Sequence, residues 1–417
     1  MTRRRVAITG IGLITALGSN REQTWDGLVA GQCGMRPVTA FDAEGYRSRI
    51  AAEVCMTPID AQRTALQQRR WSRGDRIGVA AAIEAIHDAG LLSARYDRHR
   101  IGVLLGAGTA DLIRNEEYQH TALFRGIEHA RPSQAWNHFS STPVDVIASH
   151  FGFGGLRSCI VAACSSSTIA IGQAADAIRL GKLDAALAGG TDAIARLTFS
   201  GFNALKLMDP EPCRPFSRDR AGMNIGEGAA ILVLEDMDRA RTRGAAIYAE
   251  LAGSSFACEA FHPTAPEPVG KPVTAVVRAA LHDARIDPSA VAHLNAHGTA
   301  TPQNDKAETR GYRALFGERI ARIPVTSVKS MVGHCLGAAG GIEAAILALT
   351  IARGVIPPTI HCTELDPDCP GDIVANEARE RRLRCGVSTS LGFGGNDSAV
   401  VITAADREPL GSSGAVP

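Results

Sequence analysis

A chain of 417 residues, 45% hydrophobic and 21% charged, has the composition of a globular protein large enough to bury a core without disulfides or a structural metal. Its 44 basic and 43 acidic residues leave a formal net charge of +1, which gives no support to non-specific nucleic-acid binding. The ten cysteines form no Cys-x-x-Cys pair and are scattered through apolar context, the pattern of reduced thiols in a cytoplasmic protein rather than of a disulfide framework. The opening MTRRRVAITG lacks an apolar stretch of signal-peptide length, and the most apolar helix candidate, 338–352, carries Glu343 and is shorter than a bilayer span.

In chain order, apolar runs alternate with segments of helical period, which argues for an α/β protein. RVAITG (5–10) reads as a buried strand ending in a glycine turn, 75–89 as an Ala-rich helix, and IGVLLGAG (101–108) as strand and turn. SCIVAA (158–163) is a strand, 165–181 a helix stopped by Gly181, and 184–190 and 229–235 are strands. After an Arg-rich polar stretch at 236–246 the rhythm repeats: a strand at 247–257, a helix from Val273 to Ala284, strand and turn at 291–299, and a helix from Lys306 to Phe316. Strand residues at 324–328, the helix at 338–352 and paired strands at 385–390 and 398–403 follow. The repeated rhythm implies an internal duplication, with halves at 1–244 and 245–405, and the last residues, 406–417, read as a disordered tail.

Four segments carry candidate chemistry. In IVAACSSSTIAIG a strand delivers Cys164 to a helix start, where free N–H groups and the helix dipole favour a nucleophilic thiolate; a buried structural cysteine would look the same locally. HLNAHGTATP (293–302) sets His297 at a strand end before a glycine turn. The four-residue spacing from His293 resembles a zinc helix, but no Glu follows His293 and the segment reads as strand and turn, so no metal is expected. TSVKSMVGHCLGAAGG (326–341) brings Lys329 and His334 around a glycine turn, and a nearby cation holds an imidazole neutral and fixes its tautomer. STSLGFGGND (388–397) supplies a glycine turn whose amides suit an oxyanion, or else an ordinary hairpin. GIGLIT (10–15) is half a dinucleotide fingerprint without its third glycine, and NAD binding is not expected.

Together, in this order, these segments resemble the β-ketoacyl synthases of the thiolase superfamily, and the likeness runs from VAITGIGLITALG through GGTDA and RPFSRDRAGMNIGEGAAILVLE to LGFGGND. The resemblance implies a duplicated thiolase-like α/β fold, two mixed five-stranded sheets in an α-β-α-β-α layering, with the active site where the halves meet. It implies Cys164 as the nucleophile, His297 and His334 as the catalytic histidines with Lys329, and Glu343 and Asp305 as structural support. It further implies Phe393 as a gate whose N–H joins that of Cys164 in an oxyanion hole, Thr299 and Thr301 on a phosphopantetheine arm, and Thr109 in the acyl pocket. Arg69, Arg70, Arg73 and Lys206 are candidates for docking an acidic acyl carrier protein, each with a solvated helix face as the plainer reading. No separate cofactor is implied, since substrates arrive on the carrier's phosphopantetheine. A homodimer, or a heterodimer with a related chain-length subunit, is expected.

The chain departs from the fatty-acid pattern in Ser165, Ser166 and Ser167 after the nucleophile, in Asn304, and in Thr109 where a larger apolar residue is common. These bear on the acyl substrate, fatty acid or specialised polyketide or polyene, rather than on the reaction. A non-catalytic chain-length-determining subunit would lack Cys164, and a coenzyme A-dependent thiolase-like acyltransferase would carry a Cys-His-Cys or Cys-His-Asn set in place of two histidines.

Overall fold

The computed structural model describes residues 3–55, 71–109, 112–135, 139–369 and 371–406. Five strands of the first half, β1 (Val6–Ile14), β2 (Ile101–Gly106), β3 (Arg157–Ile160), β4 (Ala185–Asp192) and β5 (Gly228–Asp236), pair in the order β3-β2-β4-β5-β1. The second half has β6 (Ala249–Cys258), β7 (His293–Asn295), β8 (Pro324–Thr326), β9 (Cys385–Gly392) and β10 (Asn396–Thr403), in the order β8-β7-β9-β10-β6. The order within each half is therefore third, second, fourth, fifth, first. In both halves the first two pairings along that order are parallel and the last two antiparallel. The two five-stranded sheets expected from the sequence are joined into one by a short antiparallel contact of β1 with β6, Ala7 opposite Glu250 and Ile8 opposite Ala249. A two-residue strand, Asp372–Ile373, extends the far edge beyond β8.

The duplication reaches into detail. β1 and β6 each carry a bulge, at Ile8/Gly10 and opposite Val401/Ile402, and beside each bulge sits a glycine. A side chain on Gly10 would meet the Ala85 carbonyl at 2.3 Å, and one on Gly253 would meet that of Ala280 at 2.5 Å. Only glycine lets the helices α1 (Arg73–Asp88) and α4 (Lys271–Ala284) lie so close on their strands.

The layers follow from which faces are apolar. β1, β4 and β5 are buried along their whole length, as strands covered on both faces must be. α1 packs on the outside of the first sheet, and α4 with α5 (Pro302–Phe316) on the outside of the second. Between the sheets lie α2 (Ser166–Arg179) and α6 (Ala339–Arg353), whose Ala- and Ile-rich faces share one core with strands of both halves. With the 3₁₀ turn before it, α6 forms an 18-residue apolar stretch, Leu336–Arg353, long enough by composition to cross a membrane, but 89% of it is buried inside the protein as the central core helix. α2 follows the third strand of its half and α6 the third strand of its own. Both therefore begin at the same internal place, one preceded by Cys164 and the other by His334.

Candidate active site

The approach to α2 is a sharp elbow. The chain leaves β3 at Ile160, passes through Ala163 at φ 48°, a region L-residues rarely adopt, and presents Cys164 two residues before the helix. The strand expected to reach residue 163 stops early because of this elbow. The three serines that follow clamp it. The Ser166 hydroxyl accepts from Ala162 N (2.8 Å) and donates to the Ala163 carbonyl (2.6 Å), and Ser167 Oγ accepts from Gly341 N at the start of α6 (2.7 Å). Ser165 Oγ donates to the carbonyls of Ser390 (2.9 Å) and Asn396 on the neighbouring hairpin. That hairpin, β9–β10, turns at 393–395 directly beside the nucleophile. A side chain on Gly392 would sit tight on Ala162 O at 3.0 Å and Cys164 N at 3.3 Å, so glycine eases the approach. The N–H groups of Phe393 and Cys164 both act on the Cys164 sulfur. The segment is thus a hairpin and an amide pocket at once.

Cys164 is 6% exposed, and burial pushes its thiol up to about 11, against the opposing pull of the Lys329 charge and the two amides. Desolvation outweighs the helix start, so the resting group is a neutral thiol, not the free-standing thiolate the helix-terminus argument predicts. The sulfur lies 2.9 Å from His334 Nε2, and it and one ring nitrogen of each histidine fall within 4.8 Å of one another. The rings of His297 and His334 stand nearly perpendicular, centroids 5.2 Å apart. Burial first, and then the Lys329 charge, holds both imidazoles well below the ordinary histidine value, so both are neutral.

Their tautomers follow from what touches Nδ1. His334 Nδ1 accepts from Leu336 N (3.3 Å), and His297 Nδ1 faces the Lys329 ammonium (3.2 Å), which can only donate. The proton of each ring therefore sits on Nε2, aimed at the space beside the sulfur. Lys329 contacts His297 rather than its sequence neighbour His334. It is 1% exposed, donates also to the His297 carbonyl (2.6 Å), and pairs with Glu343, 2% exposed, whose carboxyl burial pushes up to about 7. Cys, His and His are also a zinc donor set, but both Nε2 atoms carry protons and an ammonium backs His297, which is the wrong polarity for a dication.

Sequence reasoning missed three carboxylates. Glu308 of α5 is fully buried and accepts from His297 N (2.7 Å), Gly298 N (2.8 Å), Tyr312 Oη (2.8 Å) and Thr389 Oγ1 (2.7 Å), fixing the His297 turn. Asp192, at the end of β4, accepts from Gly108 N (2.7 Å), Thr109 N (2.9 Å), Thr109 Oγ1 (3.1 Å) and Gly337 N (2.7 Å), tying the Thr109 turn to the one after His334. The third is Asp397, the second residue of β10. A charged residue inside a strand or helix pattern has no local signature when its partners are distant in the chain.

A cavity of about 240 Å³ opens over the sulfur. One side is apolar, with Phe202 of α3 (Arg196–Ala204), Leu205, Leu207 and Met223; Phe202 lies against Phe393, ring centroids 5.4 Å apart. The other side carries Thr299 and Thr301, whose hydroxyls are 2.9 Å apart. Asp305 sits behind this wall, accepting from Phe216 N (2.9 Å) and Ala300 N (3.1 Å), with Arg220 at 3.4 Å. Thr109 stands apart from this cavity, on its bonds to Asp192. Of the docking candidates, Lys206 is exposed next to cavity-lining Leu205 and Leu207. Arg73 is engaged inward, its Nε 2.8 Å from buried Glu227 and its Nη2 2.9 Å from the Val54 carbonyl. Arg69 and Arg70 lie outside the described residues, as does the expected tail beyond Asp406.

A fold of two like halves whose paired central helices present a cysteine and a histidine to one cavity is that of the thiolase-like condensing enzymes. The sequence matches the family descriptions "Beta-ketoacyl synthase, N-terminal domain" over residues 3–240 and "Beta-ketoacyl synthase, C-terminal domain" over residues 248–363, and the chain belongs to the β-ketoacyl synthase family. It is 37% identical over 407 residues to the 3-oxoacyl-[acyl-carrier-protein] synthase 2 of a Synechocystis strain, covering 95% of this chain and 97% of that one. It is 38% identical over 419 residues to the tetracenomycin polyketide synthase ketoacyl synthase alpha subunit of Streptomyces glaucescens, covering 96% and 98%. Among solved structures it resembles the ishigamide ketosynthase/chain length factor, with a TM-score of 0.92 and 35% identity over 97% of this chain and all of that one. It is an acyltransferase of the ketosynthase type.

Proposed function

We propose that Cys164 takes an acyl group from the phosphopantetheine thioester of an acyl carrier protein and that His297 and His334 then drive decarboxylative condensation with a malonyl carrier. The observation that carries this reading is the pair of Nε2–H donors converging beside the Cys164 sulfur, each fixed by a contact on its own Nδ1. In acylation the sulfur forms a bond to the acyl carbon, the bond to the arm's sulfur breaks, and the thiol proton ends on the departing arm. His334 Nε2–H, 2.9 Å away, stabilises the sulfur as it becomes anionic, which its raised thiol value makes necessary. The tetrahedral oxyanion sits on the amides of Cys164 and Phe393.

The malonyl thioester then enters with its carbonyl oxygen on the two imidazoles. Loss of CO2 leaves an enolate whose oxygen accepts from both Nε2–H groups. The enolate carbon attacks the acyl-enzyme, and collapse expels the Cys164 sulfur and yields a 3-ketoacyl product. Because both histidines are neutral, they donate without bringing a proton to be lost at neutral pH. Lys329 and Glu343 set that state, Asp305 supports the wall carrying Thr299 and Thr301, and those threonines hold the arm. No separate cofactor enters this chemistry. Thr109, outside the cavity over the sulfur, is assigned to the acyl pocket by the family resemblance alone, and Lys206 is assigned to carrier docking.

The enzyme works in the cytoplasm, in fatty-acid or specialised polyketide elongation, as a homodimer or with a related chain-length subunit. Among the described residues the sheet ends at β3, flanked by Leu156 and Val161, exposed by 49% and 62%, an edge suited to such a partner. Mass spectrometry of the acyl-enzyme formed from a panel of acyl carrier proteins tests the reading. An adduct on Cys164 with one class of carrier assigns the pathway, and no adduct with any acyl carrier contradicts it.

A further inference from the structure

Asp397, the second residue of β10, is 1% exposed and borders the cavity, yet neither carboxyl oxygen accepts a hydrogen bond from any described N–H or O–H group. What lies within bonding reach of it is a second carboxyl, that of Glu259. Two carboxylates in contact in a buried place do not both ionise; one proton held between them satisfies one of the two orphaned oxygens and removes one of the two charges. The groups set against Asp397 act in the same sense. Burial first, then Glu259 just beyond β6 and, less strongly, Glu308 of α5, push the Asp397 carboxyl up to about 9. His262, further along the Glu259 wall, has its Nδ1 occupied by the N–H groups of Thr264 and Ala265, each at 3.1 Å.

The position gives the pair its use. Asp397 is two residues past the 393–395 turn that carries the Phe393 amide. Glu259 belongs to the segment on which that turn rests: its N–H donates to Gly395 O (2.8 Å), Gly394 N donates to Pro263 O (2.7 Å), and Glu259 Oε2 accepts from Glu267 N (3.0 Å). We infer that Asp397 and Glu259 are a positioning pair, holding one shared proton that latches the Phe393 turn to the cavity's outer wall and so keeps the Phe393 amide aimed at Cys164. When the proton leaves, two adjacent carboxylates repel, the turn moves off the wall, and acyl transfer weakens.

The test is kcat/KM for acyl transfer to Cys164 from neutral to alkaline pH in the wild type, Asp397→Asn and Glu259→Gln. Each variant keeps a hydrogen-bond donor between the two groups and removes the ionisation. The wild type is expected to lose tenfold per pH unit above an apparent value near 9, while both variants hold their neutral-pH rate. Ionisation of Cys164 itself, near 11, would raise reactivity rather than lower it. No alkaline fall in the wild type, or the same fall in all three, overturns the inference. Carbon-13 NMR of the carboxyl carbons of the wild type gives an independent readout that needs neither variant to fold. A carboxyl titrating near 9 is expected, and its absence overturns the pairing. This inference rests on acyl transfer to Cys164, but the NMR titration does not, so a failure of that reaction and a failure of the pair are told apart.

Discussion

Lys329→Met removes the one cation in the catalytic cluster with little change of volume. Lys329 is 1% exposed and holds the His297 carbonyl at 2.6 Å, His297 Nδ1 at 3.2 Å, and Glu343. Breaking a buried pair costs on the order of 3–5 kcal/mol. The lower end applies here, because Glu343, already pushed up to about 7, takes a proton when its partner goes. The chemical effect is separate. Without the ammonium, Nδ1 of His297 is free to carry the ring proton, and Nε2 no longer reliably donates to the thioester oxygen. Loss of one such donor lowers a rate by about a hundred- to a thousandfold. Acylation, which uses His334 and the two backbone amides, should change far less. The assay follows CO2 release from malonyl carrier and acyl-adduct formation on Cys164 in parallel. The double variant Lys329→Met/Glu343→Leu replaces the pair by apolar side chains and should regain much of the melting temperature without regaining decarboxylation. A folded Lys329→Met enzyme that decarboxylates at the wild-type rate would refute the reasoning. So would equal losses in both steps that the double variant restores.

Glu308→Gln turns a carboxylate that accepts four hydrogen bonds into a group that presents an NH2 to at least one N–H or O–H donor, so a loss of about 1–3 kcal/mol per mismatched donor is expected by denaturant unfolding, together with a fall in kcat. Thr109→Phe is expected to shift products toward shorter chains, each excluded methylene forfeiting about 0.8 kcal/mol; uniform loss of acylation at every length would leave Thr109 only its turn on Asp192. Lys206→Glu should raise the apparent KM for carrier-bound substrate and flatten its salt dependence without changing the melting temperature. Arg73→Glu, by contrast, sets a second carboxylate against buried Glu227 and should lower the melting temperature.

The ten principal strands were legible because most are buried along much of their length and read as apolar runs, even where, as in β3, the strand itself is partly exposed, and the repeat of that rhythm matches a strand order repeated in full. Cys164, His297, His334 and Lys329 were legible as candidates from four segments that together resemble the β-ketoacyl synthases, each segment being ambiguous alone, and the fold brings the four side chains into one cluster. The sequence pattern hid what depends on distant partners. Helices at Leu112–Arg125 and Thr142–Phe151 were not read from the sequence, although the second buries an apolar face of Val144, Ile147 and Ala148. Glu308, Asp192 and Asp397 look like solvated charges until the fold brings backbone amides, or a second carboxyl, against them. Arg73 read as a surface cation because Glu227 is 154 residues away. The resting state of Cys164 was misjudged because the helix start is local and visible, while the burial that outweighs it comes from the whole molecule.

The central claim is that one cysteine carries the acyl group while two neutral histidines break the malonyl carbon–carbon bond. The most direct measurement supplies acyl carrier and carboxyl-labelled malonyl carrier to the wild type and to Cys164→Ala, and quantifies released labelled CO2 and 3-ketoacyl product together. The account predicts equal amounts of both from the wild type, and CO2 without 3-ketoacyl product from Cys164→Ala. Condensation at the wild-type rate in Cys164→Ala would contradict it.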